Sequence, residues 1–137
     1  MTLRELNQLR HLRREIRLLE NYIAKYDAVL YPKAAEYRRY RQVTPEEDAR
    51  RIKEAKRRIE ENRAKCLAEA ERLEAWISGV DDSLTRAAMR LRFVDGLGWT
   101  AVALKLGGRN TEDSVKKMVY RYIRRTSGTS DGSCPDA

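Results

Sequence analysis

The stretch Trp99-Thr100-Ala101-Val102-Ala103-Leu104-Lys105-Leu106-Gly107-Gly108-Arg109-Asn110-Thr111 decides how this chain folds. Val102 and Leu106 lie four apart, on one face of a short helix, and the small Ala103 sits four positions before Gly107. Gly107 ends that helix, and Gly108-Arg109-Asn110-Thr111 reads as a polar turn. Thr111 then caps a second helix, whose apolar stripe is Val115, Met118, Val119, Tyr122 and Ile123. Lys116, Lys117, Arg121, Arg124 and Arg125 project elsewhere. The reading is of a helix of small residues, a turn, and a helix that is apolar behind and cationic outside.

Working upstream, Ser83 reads as the cap of a further helix whose inner face is Leu84, Ala87, Ala88, Leu91 and Val94, with Arg86, Arg90 and Arg92 mostly outward. Gly96 and Gly98 turn the chain, and Trp99 is placed as a wedge between helices. Residues 81–125 are therefore expected to form a three-helix helix-turn-helix module. From Thr126 the run Thr-Ser-Gly-Thr-Ser-Asp-Gly-Ser reads as a disordered tail, 126–137.

Residues 1–80 carry a different periodicity. Leu9, Leu12, Ile16, Leu19, Ile23, Tyr26 and Leu30 alternate in steps of three and four, which makes a seam for a partner helix. Leu3 and Leu6 extend it less regularly. Pro32 limits this helix. Tyr37-Arg38-Arg39-Tyr40-Arg41 follows and reads as amphipathic packing beside a bend, with a nucleic-acid surface as the alternative. Thr44-Pro45-Glu46-Glu47 combines a capping threonine, proline at the first helical position and glutamate three residues after the cap, so a second long helix starts there. Its seam is Ile52, Ala55, Ile59, Asn62, Cys66, Ala70, Leu73, Trp76 and Val80, with Asn62 as a polar register-setting position. The simplest arrangement is an antiparallel coiled-coil hairpin, and its uncovered apolar surface favours a homo-oligomer, a dimer in the first instance; the alternative is that the hairpin docks on the C-terminal helices of its own chain. The fold class expected is all-α: this hairpin, then the helix-turn-helix.

Composition narrows the function. Lys and Arg number 29 against 21 Asp and Glu, a formal net charge of +8, with pI about 9.7. That balance favours polyanionic partners, nucleic acid foremost. Arg10, Arg13, Arg14 and Arg17 read as the solvated face of a coiled coil, with phosphate contacts as the alternative. No stretch approaches the roughly 20 apolar residues of a membrane span, and residues 1–20 lack a secretory core. No membrane partner and a cytoplasmic location are expected. Cys66 lies in a helical pattern and Cys134 in the tail, with no pairing motif. His11 is the sole histidine, no Cys/His cluster has zinc spacing, and the carboxylates interleave with Lys and Arg as surface ion pairs do. No enzyme activity, no cofactor and no metal site are assigned.

Three segments, Met89-Arg90-Leu91-Arg92-Phe93-Val94-Asp95-Gly96, Trp99 to Ala103, and Gly107 to Val115, resemble region four of sigma factors. More closely, they resemble the RinA/ArpU-like late-gene transcriptional regulators of phages. The likeness covers about a third of the chain, and the turn is longer than in the shortest such motif. It implies a sequence-specific transcriptional regulator of double-stranded DNA, with RNA polymerase as a further partner. Thr111 would cap the recognition helix and bond a phosphate. Asn110, Glu112, Asp113, Lys116 and Lys117 lie near its leading end, where side chains reach base edges. Arg109, Arg121, Arg124 and Arg125 are placed for phosphates. Two rivals remain: a small-terminase-like protein that recognises packaging sites, and an adaptor that docks on RNA polymerase without reading DNA.

Overall fold

The computed structural model describes residues 1–31 and 46–127. They form α1 (Leu3–Leu30), α2 (Glu46–Ser78), α3 (Ser83–Met89) continuing into a π turn (Arg90–Val94), α4 (Trp99–Leu106) and α5 (Glu112–Thr126). No strand occurs among the described residues, and the fold is all-α with α1 packed against α2 as a hairpin. The segments Tyr37–Arg41 and Thr44-Pro45, Cys134, and the tail beyond Ser127 lie outside the described residues. Thr126 still belongs to α5, one residue past the boundary read from sequence.

The described residues divide into two compact units, and both long helices contribute to each. One unit takes in the described part of 13–68; the other takes in 1–12 with 69–127. This division does not follow the sequence boundary at 80/81. The reason is apolar density. Leu3, Leu6 and Leu9 repeat every third residue at the start of α1, and Ala70, Leu73 and Ile77 do similar work at the end of α2. All six are buried, within the same unit as α3, α4 and α5.

In the 13–68 unit the two helices run antiparallel, as ion pairs show. Lys56 Nζ lies 2.6 Å from Asp27 Oδ1, and Arg63 Nη2 lies 3.1 Å from Glu20 Oε1, so the α2 number rises as the α1 number falls. The hydrogen bond that the Lys56 ammonium donates to Asp27 holds its pKa above the ordinary value. Leu19 is buried, whereas Ile16, Ile23, Tyr26, Ile52, Ala55 and Ile59 are half-buried. Asn62 is exposed, and the seam position read for it falls to half-buried Arg63 beside it. One residue is about 100° around a helix, enough to move a side chain from seam to solvent. Cys66 is half-buried; burial pushes its thiol pKa up, and Glu15 adds to the effect.

The other unit has a true core. Leu6, Leu9, Leu73, Ile77, Val80, Met89, Val102, Val115 and Val119 are fully buried within it. A reciprocal cap opens α1: Glu5 N donates to Thr2 Oγ1 at 3.2 Å, and Thr2 N to Glu5 Oε2 at 3.1 Å. The cap of α3 is Asp82 rather than Ser83. Its Oδ2 accepts from Thr85 N at 3.0 Å and from the buried Thr85 hydroxyl at 2.6 Å. A carboxylate serves both donors at once and suits the positive end of the helix dipole, which Ser83 one residue later cannot match. After the π turn the chain reverses at Gly96, whose φ of +76° is left-handed; a Cβ there would lie 3.1 Å from Arg10 Cδ.

Candidate nucleic-acid interface

Trp99 fixes α4 against its surroundings. It is buried, meets Phe93 and Tyr120 edge-to-face at centroid distances of 6.4 and 5.9 Å, and carries the Arg92 guanidinium 4.8 Å above its ring. Arg92 Nη1 also donates to the Leu97 carbonyl at 3.1 Å, which locks the turn leading into α4. The wedge expected from sequence is present, and its burial leaves no face for stacking on a base. Val102 and Ala103 point inward from α4, whereas Leu104 is 78% exposed.

The turn to α5 is set by backbone chemistry. Gly107 takes φ 71°, ψ −164°, a conformation almost confined to glycine, and Gly108 follows at φ 64°. Asn110 Nδ2 donates to the Gly107 carbonyl at 2.8 Å and braces the turn. Thr111 then caps α5. Its Oγ1 accepts from Ser114 N at 3.1 Å, while Ser114 Oγ accepts from Thr111 N at 2.9 Å and donates to the Thr111 carbonyl at 3.0 Å. This is a capping box with serine in the place usually held by Glu or Gln. Because Thr111 Oγ1 acts as acceptor there, its hydroxyl proton stays available to an outside acceptor. Thr100 Oγ1 donates to Glu112 Oε2 at 3.0 Å, so the leading ends of α4 and α5 are tied together.

The buried face of α5 is Val115, Val119, Tyr120 and Ile123; Met118 and Tyr122 are half-buried. Tyr122 packs edge-to-face on Trp76 at 6.1 Å. The ten candidate residues therefore separate into three groups. Lys117, Arg121 and Arg124 are exposed and share the outer face, with Arg125 beside them and 5.4 Å from the Tyr122 ring. Arg109 is exposed on the turn. Asn110 and Lys116 are half-buried: Asn110 braces the turn, and Lys116 lies on the inner flank with its ammonium 5.8 Å from the Tyr120 ring. Thr111, Glu112 and Asp113 are exposed at the leading end but committed locally, Asp113 to Lys117 at 2.9 Å.

Three contributors were not singled out from the sequence. Ser114 completes the cap, and its place three residues after Thr111 was the available signal. Tyr120 is buried although it sits one step off the stripe. The Thr100–Glu112 tether spans twelve positions and leaves no local pattern. Among the described residues no helix is long and apolar enough to cross a membrane, and no group of three or more His, Cys, Asp or Glu is placed to hold a metal ion. No protein-family model, no curated protein and no solved structure matches this chain.

Proposed function

We propose that this chain is a sequence-specific, DNA-binding transcriptional regulator of phage or prophage origin. On this reading α4 and α5 form a helix-turn-helix, and α5 is the helix that enters the major groove. One observation carries it: the outer face of α5 presents Lys117, Arg121 and Arg124 to solvent over a buried apolar back, on a helix locked at its leading end. Cations on a rigid, exposed helix face release counterions from a phosphate backbone, which is the main source of affinity for DNA. Lys117, near the leading end, is the side chain best placed to reach a base edge; Arg121, Arg124 and Arg125 are placed for phosphates.

A second reading is an adaptor that docks on RNA polymerase without reading DNA, and the exposed Leu104 of α4 is the apolar side chain it would use. Selection of a randomised duplex library on the full-length protein separates the two. Enrichment of one motif supports the regulator. Retention of duplex without enrichment refutes sequence-specific reading and leaves a backbone clamp. No retention, with capture of purified RNA polymerase that is lost in Leu104→Asp, favours the adaptor.

A further inference from the structure

The seam of α1 does not use all of its apolar surface. Leu18, Tyr22 and Val29 are 59%, 48% and 42% exposed. They lie four and seven residues apart, so they form one stripe along the helix, roughly a third of a turn away from the seam that Ile16, Leu19 and Ile23 present to α2. The hairpin leaves this second stripe uncovered. Its own seam is mostly half-buried, with Leu19 the buried exception among the described large apolar residues of the 13–68 unit.

The charges bordering the stripe indicate what covers it. Glu15 and Lys25 are exposed along its edge, Glu15 before Leu18 and Lys25 after Tyr22. The Lys25 ammonium lies 5.7 Å from the Tyr22 ring, so the charge is held against the stripe. Let a second copy of α1 cross the first antiparallel about a two-fold axis near residue 20. Leu18 then faces the second copy's Tyr22, and Glu15 faces its Lys25. These two pairings each occur twice, apolar on apolar and anion on cation, as an isologous contact requires; Val29 falls opposite position 11, His11, and lies outside the apolar match. In a parallel, in-register pairing each residue would face its own copy, Glu15 meeting Glu15 and Lys25 meeting Lys25.

From this self-complementarity we infer that the Leu18–Tyr22 patch of the stripe, flanked by Glu15 and Lys25, is an antiparallel homodimer surface, joining two hairpins into a four-helix arrangement. The surface is distinct from the α1–α2 seam, and the inference does not depend on the DNA reading. Sedimentation velocity on the full chain, from low to high micromolar, tests it. The native protein is expected to pass from monomer to dimer. Leu18→Glu combined with Tyr22→Glu puts charge on exposed positions, so circular dichroism should keep its helical signal while the dimer dissociation constant rises at least about 100-fold. Glu15→Lys alone and Lys25→Glu alone oppose like charges and should each weaken the dimer about fivefold; the two together should restore it. A native chain that stays monomeric at every concentration overturns the inference. So does a dimer that survives the Leu18/Tyr22 double variant, or a charge-swapped pair that fails to recover.

Discussion

Replacing Arg121 and Arg124 by glutamine should change how DNA affinity depends on salt, by an amount set by the geometry of α5. Three cations face outward free of a local carboxylate on α5: Arg121, Arg124 and Arg125, whereas Lys117 is paired with Asp113. With one phosphate for each arginine and a slope of about 0.9 per phosphate neutralised, log affinity against log salt should fall with a slope of about −2.7 per subunit. Removing two of them leaves about −0.9. Over a fourfold rise in salt the native protein then loses roughly 40-fold in affinity per subunit, and the double variant roughly 3.5-fold. Fluorescence anisotropy with a labelled mixed-sequence duplex reads both slopes, and thermal melting confirms that these surface changes leave the fold intact. Lys116→Gln is the decisive control. Composition alone counts Lys116 with the other cations, but its place beside Tyr120 takes it off the outer face, so its slope should match the native one. Parallel lines for the native protein and the double variant would refute the argument, as would a Lys116 variant that lowers the slope by a full phosphate.

Gly107→Ala should cost about 1–3 kcal/mol without any steric clash, because nothing lies within 4 Å of the added Cβ and the whole effect is backbone strain; chemical denaturation measures it. Leu73→Ala, at a fully buried site, should destabilise by about 2–5 kcal/mol in the same experiment. The Asp82 carboxyl is held below its ordinary pKa, first by the Thr85 hydroxyl and then by the Thr85 amide. A depressed folded-state pKa gives stability that is present above the unfolded value, near 3.9, and is lost as pH falls through the folded one. Asp82→Asn keeps a competent cap but cannot titrate, so its melting temperature should fall less than the native one on acidification below about pH 4.

The long periodic patterns were the most legible part of the chain. Both heptad helices and the stripe of α5 follow from spacing, and the folding of α1 back on α2 follows from neither being able to bury its seam alone. Local chemistry was legible where a motif completes itself within four residues. Thr111 was read as a cap, and Thr2-Leu3-Arg4-Glu5 matches the same capping box at the start of α1 without having been singled out. Legibility fails where one step of rotation decides. Asn62 against Arg63, Ser83 against Asp82 and Met118 against Tyr120 are each choices between neighbours or near-neighbours, and tertiary packing makes them. It fails again where partners are distant: nothing near Thr100 in the sequence points to Glu112. The candidate site was accordingly legible as a segment, whereas the division of its ten residues into outward, inward and locally committed groups needed the fold.

The acidic leading end of α5 is the feature hardest to reconcile with DNA, and its local bonds supply the answer. Glu112 and Asp113 stand where the helix dipole favours negative charge, so they stabilise the fold whatever the helix binds. Asp113 is paired with Lys117, and Glu112 accepts from the Thr100 hydroxyl, which ties α4 to α5 without removing the charge. Lys116 and Lys117 together match the two acids in number. No acid follows Asp113 in α5, while Arg121, Arg124 and Arg125 all do. Charge along α5 therefore runs from balanced at the leading end to an excess of cation at the trailing end. On the proposed reading this gradient assigns the two tasks to different turns: the trailing half supplies affinity to any duplex, and the leading half can approach base edges without being held by phosphates. On the same reading the Asp113–Lys117 pair would be the point of control. It is exposed on both sides, so it opens at little cost, and Lys117 would donate to a guanine edge only where the site offers a better acceptor than Asp113. A sequence lacking that acceptor would leave the pair closed, and the helix would rest on its arginines alone.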